Sequence, residues 1–183
     1  MHYLLILVFS LSACAHPEVK YKRKDWQARW ADEDKDCQNT RAEILIARSL
    51  KKVSFSGKKD CVVSRGQWHD YYFPGILENA KEIDIDHLVP LYEAHKSGGA
   101  RWSKELKKQF ANDPENLVIT SRSTNRKKGA NTLKSWLPIN LPYACRYYQQ
   151  WMQVKKKYQL VISMDEINAL DVSQCSNDLD KAF

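Results

Sequence analysis

Residues 83–87 read Ile-Asp-Ile-Asp-His, a strict alternation of apolar and polar side chains. This period of two predicts a β-strand with one apolar face and a second face that carries the carboxylates of Asp84 and Asp86. A second apolar run at residues 117–120 predicts another strand, and a short polar helix should follow at about residues 124–128. The sequence therefore predicts the order strand, long excursion, strand, short helix.

Side chains suited to phosphodiester chemistry cluster in these segments. A divalent cation that binds phosphate prefers hard oxygen ligands, which Asp86 and the side-chain carbonyl of Asn125 can supply. The neutral imidazole of His87 is suited to deprotonating a water molecule. If the pKa of this histidine is ordinary, activity should fall below about pH 6. Lys128 lies three residues after Asn125 and should share its helix face.

The formal net charge of the chain is +7. An excess of lysine and arginine over a small domain favours a polyanionic partner, either a nucleic acid or an anionic membrane surface. Solubility alone is the competing explanation for this charge. Charge by itself therefore does not decide the function.

The first fifteen residues predict an export signal, because the apolar run at residues 4–9 is too short to span a bilayer. Leu11-Ser12-Ala13-Cys14 resembles a bacterial lipobox, in which Cys14 would carry a lipid and anchor the protein to a membrane. Residues 13–15 also fit the A-x-A pattern of ordinary signal cleavage before His16. Residues 16–36 are strongly charged and predict either a solvated tether or a first helix.

Apart from Cys14, the chain contains four cysteines, an even number that suits an oxidising compartment. Proximity along the chain favours the pairs Cys37–Cys61 and Cys145–Cys175, each contributing roughly 3 kcal/mol. A structural zinc site is the alternative, although the chain has no C-x-x-C pair.

The C-terminal region predicts two helices. Tyr147, Trp151, Val154 and Tyr158 recur at helical spacing and should face the core, which would leave residues 155–157 in water. Ser163 and Glu166 form an S-x-x-E capping box that should open the last helix.

Several stretches, taken in order, resemble the HNH (His-Me finger) nucleases, and among them the C-terminal nuclease domain of GmrSD restriction enzymes. The residues that carry this resemblance are Ile83 to Leu91, Ser97 to Trp102, Phe110 to Leu117, Asn125-x-x-Lys128-Gly129 and Trp136-Leu137-Pro138. The likeness runs from about residue 40 to residue 175. One stretch departs from it, because residues 68–72 read Trp-His-Asp-Tyr-Tyr where a Trp-x-Asp-Pro-Tyr pattern is expected.

The resemblance implies an α+β domain over residues 37–183, with a small ββα-metal core at about residues 82–130, surrounding helices and two disulfides. It implies that His87 is the general base, that Asp86 and Asn125 bind one divalent ion, Mg²⁺ or Mn²⁺, and that Asn116 orients the loop that bears the base. Asp84 and Lys128 would support the site, with Lys128 approaching a phosphate.

Further phosphate contacts are expected from a group of basic residues: Arg41, Arg122, Arg126 and Lys127. The predicted function is endonucleolytic cleavage of nucleic acid, DNA rather than RNA, with little sequence preference because no separate base-reading module is visible. Two alternatives stay open: a lipid-anchored protein that binds nucleic acid without cutting it, and a nuclease toxin. No feature of the sequence calls for a protein partner.

Overall fold

The computed structural model describes residues 18–26, 29–139 and 141–175. The expected export signal at residues 1–15, including Cys14, lies outside the described residues. Within them, no helix combines the length and the apolar character needed to cross a membrane.

The described chain is a mixed α/β domain, as the sequence indicates. Its helices are α1 (Thr40–Ala47), α2 (Leu91–Lys96), α3 (Lys104–Asn112), α4 (Arg122–Lys128), α5 (Leu141–Lys157) and α6 (Met164–Ile167). Its strands are β1 (Ser54–Ser56), β2 (Val62–His69), β3 (Ile76–Asn79), β4 (Ile83–His87) and β5 (Leu117–Ser121). Strands β1, β2 and β3 form one antiparallel sheet in that order, and β4 pairs with β5 in a second.

The two-stranded sheet has the faces that the sequence predicts. Strand β4 runs antiparallel to β5, with His87 opposite Leu117 and Asp86 opposite Val118. Directly opposed residues share a face, so Ile85 of β4 lies with Ile119 of β5 in an apolar layer that also contains Ile83 and Leu117. The carboxylates of β4 lie on the other face. Helix α4 follows β5 at once and contacts both strands.

Two hydrophobic clusters lie on either side of this sheet. One cluster joins α1, β2 and the apolar face of β4–β5, and it contains the fully buried Trp68, whose indole donates to the carbonyl of Leu45. The other cluster joins α2, α3 and α5 around Phe110 and Trp151. The short sheet is therefore supported from both faces, which fixes the position of its end at His87.

Local capping explains where several helices begin. The side chain of Asn39 accepts a hydrogen bond from an N–H in the first turn of α1, and Ser103 does the same for α3. The capping box predicted for Ser163 and Glu166 is present at the start of α6. These boundaries depend on neighbouring residues only, so the sequence shows them.

One prediction for α5 is wrong. The aromatic stripe faces the core as expected, but Lys155 is also completely buried rather than in water. Its ammonium donates to Glu93 at 2.8 Å and to Glu166 at 2.6 Å. Lys155 lies four residues after Trp151, so it shares the buried face of the helix, and two carboxylates compensate its charge there.

Both expected disulfides are confirmed. Cys37 is bonded to Cys61, and Cys145 to Cys175. The first links the segment before α1 to the start of β2, and the second links α5 to the end of the described chain. Since all four sulfurs are used in these bonds, the alternative of a zinc site is wrong.

The charged segment before α1 contacts the domain through a few residues. Its described part contains one short 3₁₀ turn at Arg23–Asp25, and Trp26, directly after that turn, is only 3% exposed in the larger core. Trp26 lies edge-on against Phe110 of α3. Within the described residues of this segment, Trp26 is therefore anchored in the core, while most of its neighbours are exposed to solvent.

Candidate active site

The end of β4 and the helix α4 bring together the predicted base and the two predicted metal ligands. Asp86, His87 and Asn125 line one cleft of about 520 Å³. Asp86 and Asn125 are 39 residues apart in the sequence. They come close in space because β4 pairs with β5 and α4 packs on both strands. The convergence expected from the sequence is present in the structure.

His87 is held in one orientation and one tautomer. Its Nε2 lies 2.8 Å from the carbonyl oxygen of Ala111, in the last turn of α3. A carbonyl only accepts hydrogen bonds, so Nε2 carries the proton in the neutral ring and Nδ1 is left as an acceptor. Within the described residues, no group hydrogen-bonds Nδ1. The ring stacks on Trp30, with centroids 5.7 Å apart and planes 16° apart.

Burial also controls the charge of this imidazole. His87 is only 5% exposed, and this burial lowers its pKa from 6.5 to about 4, although the hydrogen bond to Ala111 acts in the opposite direction. The ring is therefore neutral at neutral pH, in the form that can accept a proton.

Asp86 has one oxygen engaged by the protein. Its Oδ2 accepts from Lys128 Nζ at 2.8 Å and from the hydroxyl of Tyr72 at 2.8 Å. Burial is the main cause that raises the pKa of Tyr72 well above its ordinary value, so this hydroxyl keeps its proton and donates it. In the described part of the chain, Oδ1 of Asp86 has no hydrogen-bond partner. That oxygen is available to a cation.

The role expected for Lys128 needs correction. Its side chain is completely buried, and its ammonium donates to Asp86 and, at 3.1 Å, to the carbonyl of His87. A lysine in this position cannot approach a phosphate in the cleft. It neutralises Asp86 instead and ties α4 to the end of β4.

A hydrogen bond joins Asp84 of β4 to Asn125 of α4. The Asn125 amide nitrogen donates to Asp84 Oδ2 at 3.0 Å. This bond fixes the amide and leaves its carbonyl oxygen without a hydrogen-bond partner among the described residues. Asp84 also lies 3.5 Å from the half-exposed guanidinium of Arg122. Asp84 is thus placed to orient Asn125.

Asn116 is fully buried and clamps the chain just after His87. Its Oδ1 accepts from the N–H of Val89 at 2.8 Å, and its Nδ2 donates to the Val89 carbonyl at 3.2 Å. Its backbone carbonyl accepts from Leu88. All three bonds hold the turn that follows His87. This position suits the role that the resemblance implies for Asn116, which is to orient the loop that bears the base.

Residues 39–166, well over half of the chain, match the family model described as the C-terminal domain of GmrSD restriction endonucleases. The chain belongs to this family. An uncharacterized secreted protein of Arthroderma benhamiae is 35% identical over 156 residues, which cover 84% of this chain and 74% of that protein. No solved structure is significantly similar to the chain.

The other basic residues that were expected to contact phosphates lie at separate places in this GmrSD-type domain. Arg41 donates from one nitrogen to the backbone carbonyls of Ala80 and Ile83, at 2.9 and 3.0 Å, so it braces the entry to β4. Arg126 and Lys127 are exposed on α4. None of these residues lines the cleft that contains His87.

Sequence reasoning missed two side chains that touch the site. Tyr72 was part of the stretch that departs from the expected pattern, yet its hydroxyl contacts Asp86. That stretch is held in place by Asp70, which accepts hydrogen bonds from Thr120 at 2.7 Å and from the N–H of Ser121 at 3.0 Å. Trp30 lies before the family match, and no local pattern indicates that it reaches His87.

Proposed function

We propose that the chain is a metal-dependent endonuclease that hydrolyses phosphodiester bonds in nucleic acid, with His87 as general base. The observation that carries this proposal is the cleft in which a neutral imidazole with an available Nδ1 meets the oxygen donors of Asp86 and Asn125. The membership of the chain in a family of restriction endonuclease domains supports the same activity.

The donor set fits one divalent cation. Asp86 Oδ1 and the Asn125 carbonyl oxygen are hard ligands, and both lack a hydrogen-bond partner among the described residues. Asp84 holds the Asn125 amide, as outer partners of metal ligands commonly do. We propose Mg²⁺ as the ion, with Mn²⁺ able to use the same oxygens. A bound ion would polarise the phosphate and stabilise the departing oxyanion.

The protein residues would carry out the proton transfer. The Ala111 carbonyl keeps the proton of the neutral ring on Nε2, so Nδ1 can take a proton from an attacking water. Asn116 fixes the backbone after His87, and Trp30 limits rotation of the ring through stacking. Tyr72 and Lys128 hold Asp86 with Oδ1 available. These contacts hold the reacting groups in place before the reaction begins, so less conformational entropy is lost on reaching the transition state.

We further propose DNA as the substrate, with little sequence preference. The net charge of +7 suits a polyanion. The described residues form one domain around one candidate site and contain no separate element for reading bases. We also propose export directed by residues 1–15. The two disulfides and the secreted relative from Arthroderma benhamiae support export.

The test is incubation of the purified protein with covalently closed plasmid, with Mg²⁺ and with Mg²⁺ plus EDTA. We expect nicked and linear products with Mg²⁺ and intact plasmid with EDTA. Binding without cleavage under both conditions would favour a protein that binds nucleic acid without cutting it. A parallel incubation with RNA compares the two substrates, and mass spectrometry of the mature N-terminus distinguishes a lipid on Cys14 from ordinary cleavage before His16.

A further inference from the structure

We infer that the N-terminal strap, defined as residues 18–26, forms one wall of the catalytic cleft and that Arg23 binds a backbone phosphate of the substrate there. This inference rests on the proposed function. The strap precedes residue 39, where the match to the GmrSD family begins, so the family resemblance does not assign it a role. The charge pattern of the sequence also fails to distinguish Arg23 from the neighbouring lysines.

The strap is anchored on both sides of Arg23. On the N-terminal side, Nε2 of the buried His95 donates to the carbonyl of Val19 at 2.6 Å. On the C-terminal side, Trp26 inserts into the larger core beside Phe110, directly over Gly99. A Cβ on Gly99 would lie 2.7 Å from the Trp26 ring, so the fit is close. Both anchors fix the course of the backbone between them.

The residues between these anchors face the site. The ring of Tyr21 packs edge-on against Tyr92 and against His95, with centroids 5.2 and 5.4 Å away. Burial raises the pKa of the Tyr21 hydroxyl, and the nearby Arg23 acts in the opposite direction. Tyr21 and Arg23 line the same cleft as Asp86, His87 and Asn125. The strap therefore contributes directly to the surface that a substrate would meet.

The charges in the cleft single out Arg23. Among the described residues that line it, Arg23 is the only lysine or arginine. Lys128 is buried against Asp86 and Arg122 lies beside Asp84, and neither of them lines the cleft. A phosphate that enters the cleft would therefore meet the guanidinium of Arg23, whose planar set of donors suits two phosphate oxygens at once.

The strap also provides a matched control. Lys22 is adjacent to Arg23, carries the same charge and is exposed, but it does not line the cleft. General attraction between the basic strap and DNA would make the two residues equivalent. A specific phosphate contact would make Arg23 dominant.

The experiment measures binding of a fluorescein-labelled DNA duplex by fluorescence anisotropy in EDTA, across a series of salt concentrations. We expect Arg23→Ala to weaken binding about tenfold and to reduce the slope of log affinity against log salt by about one. We expect Lys22→Ala to change neither by a comparable amount, and Arg23→Lys to recover part of the affinity. Unchanged thermal midpoints would show that all variants are folded.

Equal losses in Arg23→Ala and Lys22→Ala would overturn the inference, as would wild-type affinity in Arg23→Ala or no binding by the wild-type protein. The proposed nuclease activity is judged separately. If plasmid stays intact with Mg²⁺ while binding still depends on Arg23, the activity is refuted and the phosphate contact stands.

Discussion

Lys128 and Asp86 form an ion pair of 2.8 Å in which the lysine side chain is completely buried and the carboxylate is 12% exposed. The pair links α4 to the last residues of β4, beside His87, the proposed base. The positive charge of Lys128 offsets much of the desolvation energy of burying the Asp86 carboxylate. Because the ammonium contacts only Oδ2, Oδ1 is left for a cation.

Replacing Lys128 by methionine should therefore destabilise the protein and make it depend on metal. Removing one partner of a buried ion pair costs about 3–5 kcal/mol. A divalent ion on Asp86 would supply the missing positive charge, so Mg²⁺ should raise the free energy of unfolding of Lys128→Met more than that of the wild type. Urea unfolding with and without Mg²⁺ measures both effects. The exposed Lys127→Met is the control, and equal stability of the two variants would contradict the role of Lys128.

His87→Ala should reduce plasmid cleavage at least about a hundredfold, because general-base catalysis contributes roughly that much or more. The exposed His69 lines a different cavity, so His69→Ala should retain wild-type activity. A plasmid nicking assay at constant Mg²⁺ compares them. Full activity in His87→Ala would show that another group serves as the base.

The pH dependence of cleavage should reflect the buried position of His87. An ordinary histidine would lose its base form below about pH 6. Burial lowers the pKa of His87 to about 4, so the rate should persist as the pH falls and decline only near pH 4. Initial cleavage rates across this range test the prediction. A midpoint near 6.5 would mean that the imidazole is solvated in the working enzyme.

The free energy of unfolding of the metal-free protein should also depend on pH through the protonation of His87. Between the pKa of about 4 in the folded state and 6.5 in the unfolded state, the unfolded chain binds more protons at this residue. The neutral, buried His87 therefore contributes to the free energy of unfolding. The contribution is complete above about pH 6.5, and up to about 3 kcal/mol of it is lost as the pH falls toward 4. Urea unfolding in EDTA at several pH values, compared with His87→Gln, isolates it. A variant with the same pH slope as wild type would contradict it.

Asn125→Ala should raise the Mg²⁺ concentration needed for half-maximal cleavage, since it removes a proposed ligand. Asp84→Asn should do so by about 10–100-fold, because it weakens the hold on the Asn125 amide. The exposed Glu82→Gln, two residues earlier, is the control for a lost carboxylate. Metal titrations that coincide with wild type would remove both residues from the metal site.

Several features followed from local sequence. The alternation in residues 83–87 predicted which side chains of β4 face the core, and the capping residues Ser103 and Ser163 marked helix starts, because these features depend on neighbours within a few residues. The disulfides followed from proximity along the chain. The resemblance to HNH nucleases indicated three residues that line the cleft: Asp86, His87 and Asn125.

The partners of several charged side chains, and the contacts of Trp26 and Trp30, were decided only by the tertiary structure. Lys128 was expected to approach a phosphate and Lys155 to lie in water, yet each is buried because the fold brings a carboxylate to it from a distant segment. Arg23 reaches the cleft because Val19 and Trp26 anchor the chain on either side of it, and Trp30 stacks on His87 from a part of the chain that is distant in sequence. Periodicity tells which residues share a face of one element, whereas the partner of a charge is set by long-range packing that no local pattern contains.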